Sequence, residues 1–116
     1  MNNALKEKSF RLAVRMVKLN QYLVREKKEF VLSKQILRSG TAIGALYREA
    51  EHAESKPDFI HKLGIAQKET NETLYWLELL KETDYLDQSQ FQSLHHDTTE
   101  IIKLLTSIIK SSKQNG

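Results

Sequence analysis

Lys8, Arg11, Arg15, Lys18 and Arg25, with Tyr22 among them, recur along one side of a segment near the N-terminus. On a helix rising 1.5 Å per residue they span about 25 Å. Five cations in a line suit a phosphate backbone, and an interleaved tyrosine can stack on a base. The competing reading is a solvated face, which every bundle helix possesses. The net charge of +3 is modest but uneven. Residues 1–30 hold eight Lys/Arg against three Glu, whereas residues 55–84 hold four Lys against six Asp/Glu. Such an asymmetry bears on partners rather than on fold.

Other groupings point to structure rather than catalysis. Glu49-Ala50-Glu51-His52 is a Glu-x-x-His, the unit used twice in di-iron bundles, and Asp58-Phe59-Ile60-His61 is a weaker echo. Both flank one loop, and no further carboxylates fall at the matching level. Adjacent His95 and His96 point about 100° apart on a helix and do not jointly grip an ion. No serine motif or phosphate-binding glycine loop is present. The expectation is therefore no catalytic residue, no metal and no cofactor. Glu69 and Glu72 share a stripe with Ile65, Trp76 and Leu79. Carboxylates so placed need partners. Arg38 and Arg48 are the candidates, giving a structural polar network of Arg38, Arg48, Glu69 and Glu72.

Four amphipathic segments position these residues. Helix 1, about 4–27, carries apolar side chains over an arc of about 220°, roughly twice what a simple bundle helix needs. The surplus suggests a second buried surface, supplied by another subunit, unless Leu12, Val14 and Leu19 merely flank the core. Phe30 and Leu32 are available to plug the bundle end. Helix 2, about 33–54, has Ser33 as its N-cap. Its face is notched by Gly40 and Gly44, four residues apart, which suggests close approach of another helix. Ser55-Lys56-Pro57-Asp58 marks the clearest boundary, with Ser55 and Asp58 resembling a capping box before helix 3, about 56–83. Asp87 with Gln90, or Ser89, can cap helix 4, about 88–111, and residues 111–116 read as a frayed tail. The fold class is all-α: an up-down-up-down antiparallel four-helix bundle filling residues 1–116 as one domain.

The chain lacks cysteine, so disulfides and thiolate metal sites are excluded. No apolar run approaches the ~20 residues of a membrane span. Residues 1–8 lack the apolar core of a signal peptide. A cytoplasmic location is expected, with no membrane partner.

Gln35–Ala50, then Ala53-Glu54-Ser55-Lys56-Pro57-Asp58-Phe59, Lys62-Leu63, Ile65-Ala66, Lys68-Glu69, Glu72-Thr73 and Tyr75-Trp76-Leu77 resemble one bacterial four-helix bundle family. That family was first noticed as reading frames in intervening sequences of 23S ribosomal RNA genes. The sequence is similar as well to the accessory variability determinant of diversity-generating retroelements. The resemblance covers about residues 10–110. It implies a homopentamer of bundles and, in the retroelement relatives, binding to nucleic acid and to a reverse transcriptase through basic surface. Family members often carry Ser at the position of Ala42 and Asn at that of Leu46; here both are apolar, so any polar contact made there is absent. Two functions follow as expectations. One is a non-enzymatic, homo-oligomeric nucleic-acid-binding accessory protein, acting on RNA or DNA. The other is a protein scaffold whose basic face docks an acidic partner.

Overall fold

Apolar residues spaced three and four apart place four long helices in order: α1 (Asn3–Arg25), α2 (Leu32–Glu51), α3 (Lys56–Glu82) and α4 (Gln88–Gln114). The computed structural model describes residues 3–115, and no strand occurs among them. Each helix runs against the previous one. Lys6 meets Glu51 while Asn20 meets Ser33, and Glu49 meets Lys62 while Arg38 meets Glu69. Likewise Lys81 lies over Phe91 and Gln67 bonds Thr106. α4 closes back on α1, and α1 and α3 stand diagonally across the core. The bundle measures 47 × 21 × 19 Å.

The core takes Leu12, Met16, Leu19 and Leu23 from α1, and Ile36, Ile43 and Tyr47 from α2. Leu63, Leu77 and Leu80 of α3 and Leu94, Ile101 and Leu105 of α4 join them, with Leu5, Ala50, Ala66 and Leu86 in the same cluster. Leu12 and Leu19 thus belong to the core, and the apolar surplus of α1 is a different set. Phe10, Val14 and Val17 are 58%, 39% and 44% exposed. Phe30 is exposed as well and plugs nothing; Leu32 alone of that pair packs against the core.

The buried polar groups are all satisfied among the described residues. Thr70 and Thr98 donate to the carbonyls of Ala66 and Leu94, one turn back. The hydroxyls of Ser39 and Thr73 lie 2.9 Å apart across the α2–α3 seam.

Helix ends follow local chemistry. Asp87 and Gln90 form a reciprocal capping box on α4. Ser55 caps α3, but Asp58 accepts from the amide of Glu54 rather than from that of Ser55. At α2 the expected cap is corrected. Ser33 lies inside the first turn, and the Glu29 carboxylate takes its place, accepting from the amides of Val31, Leu32 and Ser33. α2 stops at Glu51, three residues short of expectation, and α4 continues to Gln114, through most of the expected tail.

Candidate nucleic-acid interface

The six residues of the α1 stripe separate into two lines of period seven. Seven residues advance a helix by about 10.5 Å and bring the side chain back to within about 20° of its starting direction. Lys8, Arg15 and Tyr22 form one line, half-buried along the seam with α4. Arg11, Lys18 and Arg25 form the other, exposed on the outer surface.

α4 largely neutralises the seam line. Arg15 donates to Asp97 at 2.6 Å and to the hydroxyl and carbonyl of Ser93 at 3.0 and 3.3 Å. Lys8 pairs with Glu100 at 3.3 Å. Tyr22 packs against the core, with the Lys27 ammonium 5.9 Å from its ring centre. The outer line has no ion pair or hydrogen bond among the described side chains. Three exposed cations at regular spacing, none in a direct ion pair among the described residues, are therefore what α1 offers a polyanion, rather than five, and Arg11 shares a small gap with Asp97 and Glu100. Asp97 and Glu100 sit three apart on one face of α4. Their effect on the stripe required the α1–α4 register, which no local pattern in the sequence supplies.

Among the described residues the seam opens at a small gap of about 60 Å³ lined by Lys8, Arg11, Asp97 and Glu100 and at two larger grooves. A groove of about 270 Å³ is lined by Arg15, Lys18, Leu19, Tyr22, Leu86, Gln90 and Leu94. A second, of about 370 Å³, lies toward the other end beside Lys8, His96, Thr99, Glu100, Lys103 and Leu104. His96, Asp97 and Glu100 bring ligand-type atoms within 4.8 Å of one another. Arg15 and Lys8 already hold the two carboxylates, which opposes a cation there. Of the Glu-x-x-His, Glu49 pairs with Lys62 at 2.9 Å and His52 ends α2.

The acids of α3 have a different task. Arg38 grips Glu69 through both carboxylate oxygens at 3.1 Å and also bonds Glu72. Trp76 donates its indole N–H to Glu72 at 3.0 Å. That hydrogen bond, reinforced by Arg38 against the opposing effect of burial, holds the Glu72 carboxyl below its ordinary value. The same carboxylates push Arg38 upward. Arg48 does not join this network. It lies ten residues on, about 15 Å along α2 and about 80° around it, and its guanidinium sits 5.5 Å from the Phe10 ring centre. α2 thus clamps α3 with one arginine and covers part of α1 with the other.

The family model for the 23S rRNA-intervening sequence protein matches residues 1–107. A crystal structure from Bacteroides thetaiotaomicron VPI-5482, of a protein with unknown function from the S23 ribosomal protein family, superimposes with a TM-score of 0.92. It is 62% identical, over 93% of this chain and 96% of that one. No curated protein matches. With four helices in the same arrangement and a family match across almost the entire length, the chain belongs to the 23S rRNA-intervening sequence protein family.

Proposed function

We propose that this protein is a non-enzymatic, homo-oligomeric accessory protein that binds nucleic acid through the outer face of α1. The reading rests on the line Arg11, Lys18 and Arg25, three exposed cations unpaired among the described residues while their neighbours are neutralised. Self-association into a pentamer would repeat that line around one assembly and multiply its attraction for a polyanion. A cytoplasmic location belongs to the same reading. Among the described residues no helix is long and apolar enough to cross a membrane.

Binding to a structured RNA and to DNA should fall steeply between about 50 and 200 mM salt. Charge reversal at Arg11, Lys18 and Arg25 together should weaken both and lower the salt slope by about three, roughly one for each phosphate no longer neutralised. An unchanged slope would remove the outer line from the site.

A second reading draws on Phe10, Val14 and Val17. An exposed apolar stripe marks a protein contact, and beside a basic line it suits an acidic protein partner. Co-purification with a neighbouring gene product, insensitive to nuclease, would favour that scaffold role.

A further inference from the structure

The groove between α1 and α4 nearest Asp87 joins two chemistries. Its floor is Leu19, Leu86 and Leu94, all part of the core. Its rim is polar: Arg15, Lys18, Gln90 and the ring of Tyr22. Sites for whole small molecules usually run from about 300 to 1,000 Å³. At about 270 Å³ this one has room for a single planar ring rather than for a cofactor.

The rim is also partly fixed in place. Asp97 and Ser93 hold Arg15, and the Gln90 side-chain oxygen accepts from the Asp87 amide at 2.9 Å. That leaves the Gln90 side-chain N–H groups as donors on the groove edge. Lys18 has no partner among the described residues and belongs at once to the groove and to the outer cationic line. Lys27, close to the Tyr22 ring, adds positive charge at the same end. An apolar slot therefore opens beneath a path suited to phosphates.

We propose that this slot takes one unstacked nucleobase of a single-stranded or looped nucleic acid, stacked against Tyr22, with its phosphate on Lys18. The proposal rests on the nucleic-acid reading of α1 and gives it a preference. A duplex can reach the cations, but its bases stay paired and stacked, out of reach of the slot. Without the slot, the outer line would bind any polyanion; with it, unpaired strands bind more tightly.

The test compares a short unpaired RNA, a duplex of the same sequence and a fully abasic strand of the same length by fluorescence anisotropy. Wild-type protein should bind the unpaired RNA most tightly. Tyr22→Leu should weaken that binding by about 5- to 150-fold, the usual range for one base–aromatic stack, and leave duplex affinity within about twofold. Tyr22→Phe, which keeps the ring, should behave as wild type, and the retained duplex affinity of Tyr22→Leu shows that its weaker binding of unpaired RNA is not a failure to fold. Equal binding of all three ligands by wild type overturns the slot while the nucleic-acid reading stands. So does a Tyr22→Leu change that affects all three ligands alike or none. Absence of binding to every ligand overturns both.

Discussion

Glu29 shows how much one side chain does here. Three amides at the start of α2, those of Val31, Leu32 and Ser33, have no partner within the helix, and the Glu29 carboxylate accepts from all three, at 2.7 to 3.2 Å. Burial by itself would raise its carboxyl. The amide hydrogen bonds of Leu32, Ser33 and Val31 outweigh that and leave it below the ordinary 4.5. A carboxyl lowered by folding stabilises the native state above its unfolded value, and that contribution is lost as pH falls through the folded one. Glu29→Ala should therefore cost about 1–3 kcal/mol near pH 7, through the missing cap and orphaned donors. Thermal melts from neutral pH down to acid should show the gap from wild type closing once pH drops below 4.5. A gap that stays constant across the range would mean that charge on Glu29 is irrelevant. The sequence pointed to Ser33 instead, since a hydroxyl just before an apolar-periodic run is the usual cap. Glu29 reaches the helix only because Lys28 adopts φ 54°, a left-handed turn that a lysine does not advertise.

At the scale of helices, the two glycines of α2 separate in a way their spacing hid. A Cβ on Gly40 would lie 2.3 Å from Met16 Cγ and 2.6 Å from its sulfur, against a wholly buried side chain. A Cβ on Gly44 would meet Ser9 only at ordinary contact distance, 3.4 Å. Gly64, on α3, has nothing within 4 Å. Alanine in place of glycine gains up to about 1 kcal/mol in a helix interior, so the three sites should diverge. Gly40→Ala must displace Met16 and should lose about 1–3 kcal/mol net of that gain. Gly64→Ala should gain about 0.5–1 kcal/mol, and Gly44→Ala should fall between. Urea denaturation with an unchanged m-value checks all three; equal stability of the Gly40 and Gly64 variants would refute the close approach at Met16. Element order and the short loops were legible because apolar periodicity repeats over every helix. Which glycine sits at the closest approach was not legible, because that depends on the axial offset of α1 against α2. The same offset, for α1 against α4, decided which cations of the basic stripe are neutralised.

At the scale of the whole molecule, the exposed apolar residues of the helices fall on two sides, while Phe30 and Val31 lie in the α1–α2 connection. Phe10, Val14 and Val17 follow 4-3 spacing on the α2 side of α1, where Phe10 meets Arg48. Tyr75, 57% exposed, points outward from α3, the helix diagonal to α1. The width of the apolar arc on α1 was visible in the sequence. Its opposition to Tyr75 was not, since only the packed bundle places α1 and α3 on opposite sides. An apolar stripe on one side and an exposed tyrosine on the other suit a head-to-tail contact, which closes into a ring when its rotation closes instead of pairing off as a two-fold dimer. In the proposed pentamer, the α1 stripe of one copy would cover the Tyr75 side of the next. Wild-type protein should then scatter light at five times the 13.5 kDa chain mass. Phe10→Glu and Tyr75→Glu each spoil one side of every interface, so each variant alone should be monomeric with its helix content intact. A head-to-tail interface makes a sharper demand on the mixture. The good α1 stripe of the Tyr75 variant still fits the good α3 side of the Phe10 variant, and neither copy can extend further. The mixture should therefore give a two-chain species and nothing larger. Monomers alone in the mixture would mean that these patches do not face each other, and a pentamer surviving either single change would mean that the assembly uses another surface.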